Sequence, residues 1–206
     1  MFPLQLVAFP GERLNLHIFE PRYRELIHEC HENGSTFGIP PYLKNKLMDF
    51  GTEMKLLEIS KTYDDGKMDI KTQGIGIFRI EDFDAKAHGK LYAGAHIERM
   101  EIEYDGEFTN VNKLLDLMEQ LFKLLKINKD IPENTPQFTA YDIAHHVGLS
   151  IEKEYEFLRI PNELSRQEYL IDHITQLIPI VQNMEALRKR VQMNGHFKNF
   201  NPLDFK

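Results

Sequence analysis

FPLQLVAFPGERLNLHIFEPRYRELI, residues 2–27, decides the architecture, because two runs of strand character, a turn and a helix start follow one another within it. Leu4 and Leu6, then Leu14, Leu16 and Ile18, recur at the period of two that a half-buried strand requires, and Pro10-Gly11 between them is a turn pair. Two strands joined by a turn are therefore expected from Phe2 to Ile18. The helix comes next, in FEPRYRELIHECHENG. Pro21 suits a first helical position, where its missing N–H costs nothing. Tyr23, Leu26, Ile27 and Cys30 then fall at i, i+3, i+4 and i+7, and Asn33-Gly34 supplies the stop.

Downstream, from Thr52 to Tyr104, the period returns to two: Met54 and Leu56, Met68 and Ile70, Ile75 and Ile77, then Leu91, Ala93, Ala95 and Ile97. Asp64-Asp65-Gly66 is a hairpin signal between the first two runs. Several strands joined by short turns imply a small, closed or nearly closed sheet. After Asp105-Gly106 the pattern turns helical, with Thr109 or Asn110 as cap and Val111, Leu114, Leu115, Met118, Leu121, Phe122 and Leu125 on one stripe. Further helices are expected near Thr139, Ser150 and Ser165, and Pro179 is expected to kink the last or start a new one. The fold class is thus α+β, with a β-rich part over 1–106 and a helical bundle over 107–206. The exposed connectors are expected at Tyr104–Asn110 and Ile131–Gln137, and the aromatic tail from His196 is expected to dock on the body.

Composition limits the function. The 206 residues carry 42% hydrophobic and 28% charged side chains, as an ordinary packed protein does. No apolar run approaches the roughly 20 residues needed to cross a bilayer, and no basic segment precedes an apolar one at the start. With Cys30 the lone cysteine, an intramolecular disulfide and a multi-cysteine zinc site are impossible, which fits a cytoplasmic location. Thirteen Lys/Arg face nineteen Asp/Glu up to Phe108, and twelve face thirteen after it, for a net charge of −7. Neither part has the excess of positive charge that a phosphate backbone demands, so nucleic acid is not expected as a partner.

Chemistry-bearing residues are sparse. His28 lies across the helix from Cys30, so His28, Cys30 and His31 do not converge on a metal, and adjacent His145 and His146 lack the i, i+4 spacing of helical zinc pairs. Gly74 and Gly76 in QGIGIFRI lack the rest of a dinucleotide fingerprint and suit a strand bulge or bend; no GxxxxGK[ST] loop occurs. YDIAHHVGLSIEKEYEFLRI has the spacing of a helix-turn-helix, but Glu152, Glu154 and Glu156 outnumber Lys153 and Arg159 on its second helix. No nucleophile with an adjacent base, metal set or cofactor motif stands out.

The opening 26-residue stretch, with HIFEPRYR at its centre, resembles the amino-terminal, substrate-binding domain of Lon-type proteases. FGI (Phe37 to Ile39), Gly51-Thr52, the Asp65-Gly66 turn, GIGIFRI and LYAGAHIERM continue the likeness in the family's order, and DIAHHVGLSIEKEYEFLRIPNELSRQEYL looks like its helical part. The resemblance implies a PUA-like β-rich pseudobarrel followed by a helical bundle, both parts of one domain, that captures unfolded or tagged polypeptides. It implies no proteolysis, because the ATPase and peptidase modules that follow this domain in Lon enzymes are missing before Lys206. A stand-alone, non-catalytic member is expected, an adaptor in protein quality control that works beside a separate ATPase or protease. Pro179 and the aromatic tail depart from the proteases' pattern and argue against a long coupling helix. The runner-up is a PUA-like small-molecule or RNA-binding module, which acidity disfavours for RNA.

Two groups of residues are candidates for the site. Glu20, Pro21, Arg22, Tyr23 and Arg24 carry the resemblance and read first as structural: Pro21 starts the helix, Tyr23 packs, and Glu20 with Arg22 or Arg24 ties the helix to the sheet. The loop from Pro40 to Phe50 offers Tyr42, Leu43, Leu47 and Met48 beside few charges, which suits capture of exposed apolar segments. The same side chains would equally complete the core if the loop folds back.

Overall fold

The structure, a computed structural model, describes residues 1–196, with side chains as far as Gln192. Its elements in chain order are β1 (Arg13–Ile18), α1 (Pro21–Asn33), β2 (Phe37–Ile39), β3 (Tyr42–Leu43), β4 (Lys46–Leu47), β5 (Phe50–Thr62), β6 (Met68–Asp84), β7 (Gly94–Met100), α2 (Phe108–Leu125), α3 (Tyr141–Ala144), α4 (Ile151–Leu158) and α5 (Glu163–His196). The α+β expectation holds: an antiparallel sheet precedes a set of helices.

The long β6 organises the sheet, whose order is β1-β6-β5-β2. β5 covers one edge of β6, while β1 and β7 share the other, β1 along Met68–Gln73 and β7 along Ile77–Asp84. The runs at Met68–Ile70 and Ile75–Ile77 therefore belong to one strand. A bulge interrupts it where Glu53 pairs with Gly76 and Met54 with Gly74, so that Ile75 has no partner across the ladder. Gly74 is required there: a Cβ would strike the Phe9 carbonyl oxygen. The Asp64–Gly66 turn closes the β5–β6 hairpin as expected, with Gly66 at φ 79°. Leu91 and Ala93 precede β7 rather than belonging to it.

The expected amino-terminal hairpin does not form. Glu12 N–H donates to the Phe9 carbonyl at 3.2 Å around Pro10-Gly11, with Gly11 at φ 84°, so the turn is present. Its arms diverge, however. β1 takes β6 as its partner, while Phe2 N–H donates to Gly38 O at 2.8 Å, Leu4 N–H to Pro40 O at 3.3 Å, and Tyr42 N–H to Leu4 O at 2.7 Å. The first arm thus lies on the outer edge of β2, and among the described residues the sheet ends in two unpaired lips.

Two apolar cores hold the molecule. One packs the α1 face of Tyr23, Leu26, Ile27 and Cys30 against Ile18, Phe37, Ile39, Met54, Met68 and Ile70. The other buries Leu114, Met118, Tyr141, Phe157, Leu170 and Ile174 of the helices together with Val7, Phe9, Leu43 and Ile77 of the β-rich part. Arg166, fully buried, locks this second core: its guanidinium donates to Glu163 at 2.8 Å, Ile160 O at 2.8 Å and Glu103 O at 3.0 Å, and lies 4.6 Å above the Tyr141 ring.

The helix starts differ from expectation for local reasons. Glu107, not Thr109 or Asn110, precedes α2, because the Gln167 side chain accepts from its N–H at 2.9 Å and fixes the entry of the chain earlier. Ser150 does cap α4, its hydroxyl accepting from Lys153 N–H. Asn162 accepts from Ser165 N–H at 2.8 Å, which sets α5 going at Glu163. Pro179 does not end α5, which continues to His196. Only one helical donor is lost there, and the turns before it are anchored by buried Leu170, Ile171 and Ile174. One long terminal helix is therefore present, where Pro179 was expected to kink the last helix or start a new one. The expected docking of the tail concerns Phe197 to Lys206, which lie outside the described residues.

Candidate functional site

The family-motif residues and the 40–50 segment, distant in sequence, meet at one cleft. Pro21 opens α1 after an extended Glu20 (φ −74°, ψ 136°), and Tyr23 and Arg24 N–H groups close the first turn on Glu20 O at 3.0 Å each. Tyr23 turns inward, its ring centroid 4.0 Å from that of Phe2. Burial lifts its phenol above the ordinary range; Arg22 opposes this and Glu20 adds to it.

Of the two arginines offered for tying the helix to the sheet, Arg24 makes that tie and Arg22 does not. Arg22 pairs at 2.8 Å with Glu20, two residues away, and its guanidinium lies 4.6 Å over the Tyr23 ring; at 51% side-chain exposure it anchors no helix to the sheet. That role falls to Arg24, which donates to Asp65 O at 2.8 Å in the β5–β6 turn. Among the described residues the Glu20 carboxylate pairs with Arg22 alone, its neighbour at the helix start.

The 40–50 segment divides between core and surface. β3 and β4 form a two-residue hairpin whose Lys44 and Asn45 both have positive φ, 50° and 62°. Tyr42 pairs with Leu47, which places their side chains on one face, while Leu43 with Lys46 takes the other. Leu43 is 8% exposed and belongs to the helical core, so burial removes it from any client surface; Tyr42 keeps 38%. Leu47 is half-buried, and Met48 packs against the core from its edge. Lys44 pairs with Glu152 at 3.0 Å and Phe50 N–H donates to the Tyr155 hydroxyl at 3.2 Å, which hold the segment on α4.

Between these pieces lies an open cleft of about 510 Å³, lined by Pro3, Leu4 and Gln5, by Arg22 and Tyr23, by Tyr42 and Leu47, and by Phe83. It continues into a narrower one of about 240 Å³ that reaches Leu16, His17 and Ile18 of β1. Phe83, 37% exposed, was not legible as a site residue. Its signal was an aromatic set between Asp82 and Asp84 near the end of β6, an apolar side chain that charged neighbours would not normally accompany into a core.

Other candidates resolve as structural. Cys30 is buried, with burial raising its thiol as the largest cause, while His28 and His31 are exposed and do not join it. His145 is engaged within the chain: its ring lies 4.7 Å from Phe9 and its nitrogens face Glu154 at 2.8 Å and Glu12 at 3.3 Å. Burial opposes its charge most, but the two carboxylates outweigh it and raise its pKa from 6.5 to about 9. In the helix-turn-helix-like stretch, Tyr155, Phe157 and Leu158 are buried and Glu152 and Glu154 are engaged within the chain. Among the described residues no group of three or more His, Cys, Asp or Glu could hold a metal ion, and no helix is long and apolar enough to cross a membrane.

Comparison with solved structures places the same architecture in Lon amino-terminal domains. A Lon N-terminal domain protein from Xanthomonas campestris is 23% identical, with a TM-score of 0.66 over 83% of this chain and 95% of that one. The N-terminal domain of the Mycobacterium avium complex Lon protease is 13% identical, with a TM-score of 0.57 over 84% of this chain and 96% of that one. The family model of the ATP-dependent protease La (LON) substrate-binding domain matches residues 1–176, from the first arm of the sheet into α5 and across both cores, and the chain belongs to that family.

Proposed function

We propose that this domain recognises exposed apolar segments of unfolded or tagged polypeptides in the cleft beside Tyr42 and Leu47, and hydrolyses nothing itself. It serves as an adaptor in cytoplasmic protein quality control, presenting clients to a separate ATPase or protease. The observation that carries this reading is the convergence of Tyr42, Leu47 and Phe83, partly exposed apolar side chains from three strands, on one open cleft at the start of α1. Membership of a substrate-binding family supports it. The net charge of −7 gives RNA little to bind, and among the described residues Tyr23 is the one buried side chain with a polar atom that lines the cleft, where a small-molecule site would need several converging.

Fluorescence anisotropy with labelled α-lactalbumin checks the proposal. Reduced, carboxymethylated α-lactalbumin, which stays unfolded, is expected to bind, and the native disulfide-bonded form is not. Equal affinity for both, or for neither, would refute recognition of non-native chains.

A further inference from the structure

We infer that the client segment is held in extended form, as a strand added to the open edge at Pro3–Gln5. The inference rests on the cleft being the client site and specifies how it grips. Phe2 and Leu4 direct their backbone groups to the β2 side, where Gly38, Pro40 and Tyr42 engage them. In a planar trans peptide the C=O and N–H point opposite ways, so the Pro3 carbonyl, opposite Leu4 N–H, and the Gln5 N–H, opposite Leu4 C=O, point away from β2, and the chain bends at Gln5 and Leu6 immediately beyond them. Among the described residues, neither the Pro3 carbonyl nor the Gln5 amide groups have a hydrogen-bond partner. Both residues line the 510 Å³ cleft, and Gln5 is exposed.

What faces this edge is a gap. The two lips of the sheet, the first arm and β1, are separated by the narrower cleft, with Phe2, Pro3 and Leu4 on one side and Leu16, His17 and Ile18 on the other. Among the described residues β1 pairs with β6 alone, so its outer edge is open as well. An extended polypeptide matches the free backbone groups of this seam, whereas a helix, with its amides satisfied internally, does not. Alternate side chains of a strand, about 7 Å apart, then meet Tyr42 and Leu47 on one face while the others face solvent. Backbone pairing asks nothing of client sequence beyond apolar residues at every second position. Pro3 contributes an acceptor and no donor, which keeps the pairing short and discourages the edge from templating a longer sheet.

The probe is a short alternating valine–threonine peptide carrying ¹³C carbonyls, tested with the full chain by isotope-edited infrared spectroscopy and by anisotropy. On binding, its labelled amide band is expected to move to the frequency of a paired strand. Methylating its backbone nitrogens, which leaves every side chain in place, is expected to weaken binding at least tenfold, as is Gln5→Pro in the protein. The melting temperature of that variant shows whether it folds, and the methylated peptide stands independently of it. A coil or helix band, or undiminished binding of the methylated peptide, overturns strand addition. If the peptide fails to bind while unfolded α-lactalbumin still binds, the strand mode is wrong and the client cleft stands; if neither binds, both fall. A dimer in sedimentation that Gln5→Pro converts to monomer assigns the edge to a second copy of this chain and likewise overturns the inference.

Discussion

Single side chains tie the two parts of the molecule together, and their charges make the ties measurable. His145 sits between Glu12 of the sheet's first turn and Glu154 of α4. Its folded pKa of about 9 lies above the ordinary 6.5, so the pair's contribution to stability is complete below about pH 6.5 and is lost as pH rises through about 9. The melting temperature is therefore expected to fall across that window, and the fall to be smaller in His145→Gln; identical profiles would remove His145 from the account. Arg166 is the more costly residue to lose. Arg166→Met strands Glu163 in the core, leaves the Ile160 carbonyl without its donor and takes from the Glu103 carbonyl one of its two, the other being Glu163 N–H, at a cost of about 3 to 5 kcal/mol in urea unfolding. Arg22→Ala, by contrast, removes an exposed pair and is expected to cost under about 1 kcal/mol, with Arg24→Ala the larger of the two.

At the scale of elements, α1 was legible to the residue, since Pro21, the four-residue apolar phase and Gly34 each act locally. The first arm was not. Alternation in Leu4–Leu6 and Leu14–Ile18 marks extended chain but is silent on partners, and here β6 and β2 outcompete the hairpin because Gly74 lets Phe9 approach and Thr52 hydrogen-bonds the Ala8 carbonyl. The 40–50 segment shows the same limit: composition exposed its apolar content, but only the pairing of Tyr42 with Leu47 and of Leu43 with Lys46 says which side chains face the cleft. This division predicts two outcomes. Leu43→Ser is expected to destabilise by about 2 to 5 kcal/mol. Tyr42→Ser with Leu47→Ser is expected to lose binding of unfolded α-lactalbumin while the melting temperature shifts by only a few degrees, as a loss of about 1 kcal/mol would give. Normal binding by a normally melting double variant would clear both residues of a client role.

Across the whole molecule, the sheet and the helices share a core, although the sequence changes character at Asp105-Gly106. Glu103 N–H and C=O pair with Pro161 and Glu163, and Asp105 accepts from Leu164 N–H at 3.1 Å, so the connection is fastened to α5. We expect proteases to cut first within Ile131–Gln137 and to spare Tyr104–Asn110. A 1–106 fragment would leave Val7, Phe9, Leu43 and Ile77 uncovered. At about 1.5 to 3 kcal/mol each, that is about as much as a whole domain's stability, so the fragment is expected to show no cooperative melt. The central claim, that polypeptide is gripped at the cleft beside α1, is tested most directly by photocrosslinking. A benzophenone amino acid placed at Tyr42 is expected to form adducts with unfolded α-lactalbumin, whereas the same group at exposed Leu125 of α2 forms none. Adducts from Leu125 with none from Tyr42 would contradict the account.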